Sequence, residues 1–122
     1  MNKRGSAAWG CTWPGRIHPY VRTTQRQKWV DKRYKRYSAW KNAFSLFLNT
    51  KGFPSELVKG RRYRLYISVF VSGKLNCDGD NIIKAVMDAA WKQDRQIKMI
   101  EYFVEEDSKS PEICDIVLEE LE

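Results

Sequence analysis

Histidine is almost missing from this 122-residue chain: His18 is the only one, so a metal centre built on several imidazoles is excluded. Cysteine is scarce as well. Cys11, Cys77 and Cys114 are odd in number and far apart, which fits neither a disulfide framework nor a zinc site, and reduced thiols are expected. No apolar run approaches the ~20 residues that cross a bilayer. The first residues carry Lys3 and Arg4 but no continuous apolar stretch, so neither a membrane anchor nor a secretory signal is expected. These absences leave a soluble, intracellular (cytoplasmic) single domain as the expectation, with chain enough for one modest core.

Acid is the other deficit, and it is local. Residues 1–76 hold 17 Lys and Arg against only Asp31 and Glu56, whereas residues 77–122 hold 5 against 13 acids. The chain as a whole has a formal charge of +7. A strongly basic half attracts phosphate, and an acidic half can hold cations. For Glu119, Glu120 and Glu122 a solvated acidic surface is the simpler reading.

The hydrophobic pattern outlines the fold. Residues 1–15 read as partly irregular, with an edge strand over 7–13. Residues 16–33 have little apolar periodicity and read as a loop or arm. Tyr37, Trp40, Phe44 and Phe47/Leu48 recur at helical spacing, so a helix is expected over 34–48, ended by Lys51, Gly52 and Pro54. Leu65, Ile67, Val69 and Val71 alternate with Tyr66, Ser68 and Phe70, which predicts a strand over 63–71. A second helix should start at Asp78 or Asp80 and run to about Trp91, with Ile83, Val86/Met87 and Ala90 turned inward. Strands over 97–104 and 113–121 follow, joined by a charged turn around Asp107–Pro111. The expected fold class is α+β: a small mixed sheet packed by two main helices.

The segment Cys77-Asp78-Gly79-Asp80-Asn81-Ile82-Ile83-Lys84 stands out against the basic background. Clustered acids oppose polyanion binding unless a cation lies between carboxylate and phosphate. Asp80, Lys84 and Asp88 follow one another at i, i+4 and i+8, along one helix face away from the apolar one. Asp94 comes just past the helix end. Mg²⁺ takes hard oxygen ligands and completes its shell with water and phosphate, so Asp78, Asp80 and Asp94 are candidate ligands. Lys84 is the candidate for the scissile phosphate. The same residues also make a good turn and N-cap, and local chemistry alone divides evenly between cap and site. An EF-hand is a poor fit, because Ala89 stands where its twelfth-position Glu belongs.

Cations and aromatics interleave upstream. Arg22, Arg26, Lys28, Trp29, Lys32 and Arg33 are the candidate DNA contacts: cations for phosphate, and Trp29 (with Tyr20) for stacking on unpaired bases. Arg16, Lys35, Arg36 and Lys41 extend the basic run. Tyr37 and Trp40 are assigned to the core side of their helix. Arg61, Arg62 and Arg64 fit either a basic surface or a solvated face.

In combination, Asp78-x-Asp80-Asn81-x-x-Lys84-x-x-x-Asp88, Asp94-x-Gln96, Pro19-Tyr20-Val21-Arg22-Thr23-Thr24-Gln25 and Tyr37-x-x-Trp40-Lys41 resemble the RusA-type Holliday junction resolvases, from about Pro14 onward. That resemblance implies a RusA-like fold and a homodimeric, Mg²⁺-dependent endonuclease (Mn²⁺ substituting) that resolves four-way DNA junctions by paired nicks, in recombination and repair. It also implies Asp78, Asp80 and Asp94 as metal-binding carboxylates, Lys84 as the catalytic lysine and a supporting role for Asp88. Two alternatives stay open: a non-catalytic nucleic-acid-binding module with a structural acidic loop, and a related nuclease acting on forks or flaps.

Overall fold

The computed structural model of the chain describes residues 7–21, 32–109 and 111–121. Six elements occur in the order β1 (Ala8–Trp13), α1 (Lys32–Thr50), β2 (Arg62–Phe70), α2 (Gly79–Ala90), β3 (Ile97–Glu105) and β4 (Ile113–Leu121). Among the described residues no helix is long and apolar enough to cross a membrane. The class is α+β, with a four-stranded mixed sheet and two helices.

The alternating strand pattern builds the sheet. Leu65, Ile67 and Val69 of β2 are fully buried, while Tyr66, Ser68 and Phe70 between them face the other way. The sheet order is β1-β4-β2-β3, with β2 and β3 parallel and the other pairs antiparallel. Parallel neighbours need a long crossover, and α2 supplies it. The chain on either side of the turn at Asp107 and Ser108 therefore does not form a hairpin. β3 and β4 flank β2 instead of pairing with each other.

Both helices bury their apolar residues in the same core as Leu65, Ile67 and Val69, so they cover one face of the sheet. Helix α1 is described over Lys32–Thr50, which places Lys32 and Arg33 on a helix and not in the arm expected from sequence. Its buried stripe is Tyr37, Trp40, Phe44 and Leu48, as the spacing predicts. At its end Gly52 takes φ +84°, and the amide of Phe53 donates to the carbonyl of Leu48 at 3.0 Å. That six-to-one bond, with Phe53 and Leu48 both buried, stops the helix before Pro54.

Helix α2 is rotated by one residue from the expected orientation. Ile82, Ala85, Val86 and Ala89 are buried, whereas Ile83, Met87 and Ala90 are half-buried. The sequence contains two adjacent apolar stripes, and the contact with α1 selects between them.

Candidate functional site

Asp78 occupies the N-cap position of α2 with an extended backbone (φ −73°, ψ 145°), yet its side chain makes no capping bond. The cap contact is backbone only, from the Asn81 amide to the Asp78 carbonyl at 3.1 Å. Asp80 lies in the first turn, where a carboxylate is favoured by the helix dipole. Lys84 follows one turn later, with Nζ 4.0 Å from Asp80 Oδ2 and both side chains more than half exposed. Two carboxylates and one ammonium thus stand in solvent beyond the carboxyl end of β2, where ligands of parallel crossover units commonly bind.

The loop leading to Asp78 is held from a distance. Arg16 donates to the carbonyls of Ser72 (2.9 Å) and Lys74 (3.1 Å), and its Nε donates to Glu112 Oε2 at 3.1 Å. Glu112 Oε2 also accepts from the Ser72 amide, and Glu106 Oε2 accepts from the Leu75 amide at 2.8 Å. The Arg16 guanidinium, with the Ser72 amide, holds the Glu112 carboxyl down at about 2. Arg16 is therefore a clamp on this loop. Glu106 and Glu112 had no signal in the sequence, because their partners are far away along the chain.

Asp88 belongs to a different neighbourhood. The Tyr37 hydroxyl donates to Asp88 Oδ2 at 2.6 Å, and Lys41 Nζ is 3.1 Å from the same oxygen. Burial, and then the Asp88 carboxylate, push the Tyr37 phenol far above its ordinary value. This set ties α2 to α1 and makes Asp88 a structural partner.

Asp94 lies beyond the C-terminal end of α2, where its carbonyl accepts from the Ile97 amide at 2.9 Å. Most of α2 lies between it and the two acids at the helix start, with ~15 Å of helix axis from Asp80 to Ala90. Among the described residues, no three histidine, cysteine, aspartate or glutamate side chains gather as a metal-holding group. Asp78 and Asp80 suit a hard cation, and Asp94 stands at the opposite end of α2 from them.

A cationic groove lies beside the acids. His18, Tyr20, Arg33, Arg36, Cys77 and Asn81 line an open cavity of about 370 Å³, adjoining the first turn of α2. Partial burial and then the neighbouring Arg36 push the His18 imidazole below its ordinary value. Burial and the nearby Asp78 raise the Cys77 thiol, while Arg16 acts in the opposite direction. The amide of Tyr20 donates to the Asn81 carbonyl at 3.1 Å, and its ring packs edge-on against Tyr37. Tyr20 thus has a packing role. Arg22, Arg26, Lys28 and Trp29 lie outside the described residues. Lys32 is exposed on α1.

Arg61 and Arg64 are engaged with acids. Arg61 pairs with Glu120 at 2.8 Å, and Arg64 sits between Glu101 and Glu119. Cys11, Cys77 and Cys114 are all free thiols. The chain matches no protein-family model and no curated protein.

Proposed function

We propose that this chain is a structure-selective DNA endonuclease of the RusA type, acting as a homodimer on four-way junctions with Mg²⁺ or Mn²⁺. The observation that carries the reading is the exposed set of Asp78, Asp80 and Lys84 on the opening turns of α2, beside a groove lined by Arg33 and Arg36. The resemblance of the Asp78–Asp88 motif to the resolvases supports it. A two-fold dimer also matches the two equivalent strands of a junction.

Each side chain has a role that its position allows. Asp78 offers carboxylate oxygens not consumed by capping, and Asp80 offers an exposed carboxylate in the first turn. Lys84 offers a mobile ammonium to a phosphate oxygen on the same side of the helix, and Arg33 and Arg36 track the backbone on either side of the cut. A divalent cation, when bound, supplies the positive charge that lets acids and phosphate share one site.

The test is cleavage of a synthetic four-way junction in Mg²⁺, beside linear duplex and forked DNA, with wild type and Asp80→Asn. Paired symmetric nicks in the junction, lost in the variant while binding persists, are expected. Nicks confined to forks or flaps would keep the chemistry and change the substrate. The separation of Asp94 from Asp78 and Asp80 favours a second reading, a nucleic-acid-binding module without catalysis. Junction binding in chelator with no cleavage in Mg²⁺ or Mn²⁺ would establish it.

A further inference from the structure

The seam between α1 and α2 carries two open cavities, one toward each end of α2. The smaller is the groove lined by Arg33, Arg36 and Asn81, beside the first turn of α2. The larger, of about 1040 Å³, lies at the C-terminal end of α2. Its walls come from α1 (Lys41, Asn42, Ser45), the segment before β2 (Lys59) and the turn after α2 (Lys92, Arg95). The Tyr37–Asp88–Lys41 tie stands between the two: Tyr37 lines the smaller cavity, and Lys41 and Asp88 line the larger.

The larger cavity is cationic. Lys41, Lys59, Lys92 and Arg95 line it against Glu56 and Asp88, and Asp88 is already matched by Lys41. Lys59 and Lys92 are exposed and have no ion-pair partner among the described residues. Arg95 donates to Gln93 Oε1 at 3.2 Å, a neutral acceptor. Unmatched cations around a concavity reinforce one another and draw an anion into it.

The floor asks for more than an anion. Trp91, Leu57 and Ala89 line it and are buried, and the Trp91 indole donates to the Pro54 carbonyl at 2.8 Å. Gln96 lines the cavity too, and its side-chain oxygen is buried with no partner among the described residues. A buried acceptor without a donor suits a ligand that brings N–H groups. Inorganic phosphate brings none, whereas a strand of nucleic acid brings phosphates, apolar ring faces and N–H donors together.

Shape decides between one strand and two. A double helix is read by an element that projects into its groove. Here the cations surround a recess between two helices, which one strand can enter and a duplex cannot. From Arg33 in the smaller cavity to Ser45 in the larger, α1 rises ~18 Å, or about five nucleotides of a stacked strand at ~3.4 Å each.

We infer that the α1–α2 seam is a track for single-stranded DNA, running from the groove at Asn81 to the cavity at Lys92 and Arg95. Phosphates meet Arg36, Lys59, Lys92 and Arg95, and a base lies on the apolar floor beside Gln96. The ligand is the unpaired arm of a branched molecule, led along the seam away from the acidic turn. This rests on the reading of the chain as a DNA-binding protein and not on its chemistry.

The experiment follows fluorescence anisotropy of a labelled thymidylate dinucleotide, hexamer and dodecamer with the full chain in chelator, so that no cleavage intervenes. Affinity should rise steeply from dinucleotide to hexamer and little beyond. The triple variant Lys59→Glu, Lys92→Glu, Arg95→Glu should bind the dodecamer at least tenfold more weakly. Its log affinity should fall less steeply with log salt, by about 2 in slope for three lost phosphate contacts. Lys51→Glu, Lys98→Glu, Lys109→Glu makes the same change in net charge at exposed positions that line neither cavity, and should lose much less. If the first triple variant fails to fold, Lys92→Ala carries the test, with a slope change of about 0.7. Equal losses in the two triple variants would overturn the track, since net charge alone would then explain binding. So would a dinucleotide that binds as well as the dodecamer, or blunt duplex whose binding falls as far as the dodecamer's in the seam variant. Polyglutamate that displaces the dodecamer as readily as unlabelled dodecamer would assign the cavity to an acidic peptide instead. Dodecamer binding by a wild type that nicks no branched DNA would keep the track and sink the nuclease reading. Junction nicking by a wild type that does not bind the dodecamer would do the reverse.

Discussion

Gly79 and Tyr102 fit together without room for one more carbon: a Cβ on Gly79 would stand 2.8 Å from Cε2 of the Tyr102 ring. This contact seats the first turn of α2 on β3, and with it the turn that carries Asp78 and Asp80. Gly79→Ala should therefore push the helix end away from the strand, at a cost of about 1–3 kcal/mol typical of overpacking. Junction cleavage should fall by more than the loss of folded protein explains. Tyr102→Phe provides the control. Its buried hydroxyl has no hydrogen-bond partner among the described residues, so removing it while keeping the ring should change stability by less than about 1 kcal/mol. Urea denaturation of the two variants, beside their cleavage rates, checks both statements. A Gly79→Ala protein with wild-type stability and rate would show that the contact positions nothing.

Tyr37 and Asp88 make the polar tie between the helices, at 2.6 Å, with Lys41 on the same oxygen. Asp88→Ala leaves the buried Tyr37 hydroxyl unpaired, which should cost about 1–3 kcal/mol. Tyr37→Phe removes the donor but leaves Asp88 its Lys41 partner and half-exposed surroundings, so it should cost less. The double variant should cost less than the sum of the two, because the partners are in contact. Cleavage per folded molecule should be unchanged throughout. A large loss of cleavage in Asp88→Ala at unchanged stability would instead move Asp88 into the reacting site.

What the residue pattern reveals follows from how local each interaction is. Tyr37, Trp40, Phe44 and Leu48 share one helix stripe, and Leu65, Ile67 and Val69 alternate on one strand face, so periodicity alone finds them. In α2 the pairs Ile82/Ile83, Val86/Met87 and Ala89/Ala90 give two apolar stripes of equal merit, and only packing against α1 decides which is buried. The sheet order depends on a crossover, which no short window of sequence contains. Asp78, Asp80 and Lys84 were visible as a motif because they lie within seven residues. Asp88 shares that spacing and still belongs elsewhere, since Tyr37 lies on another helix. Arg16 looked like one more cation for phosphate, and its partner Glu112 is 96 positions away.

Lys84 tests the site against its simplest alternative. Its contact with Asp80 is an exposed i,i+4 pair at 4.0 Å, worth only about 0.3–0.5 kcal/mol. Lys84→Met should therefore unfold at nearly the wild-type urea concentration. If Lys84 meets charge developing on the phosphate, cleavage in Mg²⁺ should drop by roughly 10²–10³-fold while junction binding stays close to wild type. An unchanged rate would reduce Lys84 to a surface ion pair.

The Arg16–Glu112 clamp makes stability depend on acid in a defined window. The Glu112 carboxyl sits at about 2 in the folded chain against an ordinary 4.5, chiefly because Arg16 donates to it and then because the Ser72 amide does. Its folded value is depressed, so its contribution is fully present above 4.5 and is lost as pH falls from there toward 2. Through that range the unfolded chain takes up a proton that the folded chain refuses. Glu112→Gln cannot follow this behaviour. Its melting temperature should lie below that of wild type at pH 7, and the gap should close as pH drops through the window. Other carboxylates titrate there too, so the difference between the two proteins is the quantity to follow. High salt should narrow it, because both side chains are partly in solvent. The loop fixed by this clamp runs into Asp78, so junction cleavage by Glu112→Gln at pH 7 should fall even where the protein remains folded. Melting curves that stay parallel from pH 7 to pH 2 would mean that the pair carries no net stability in solution.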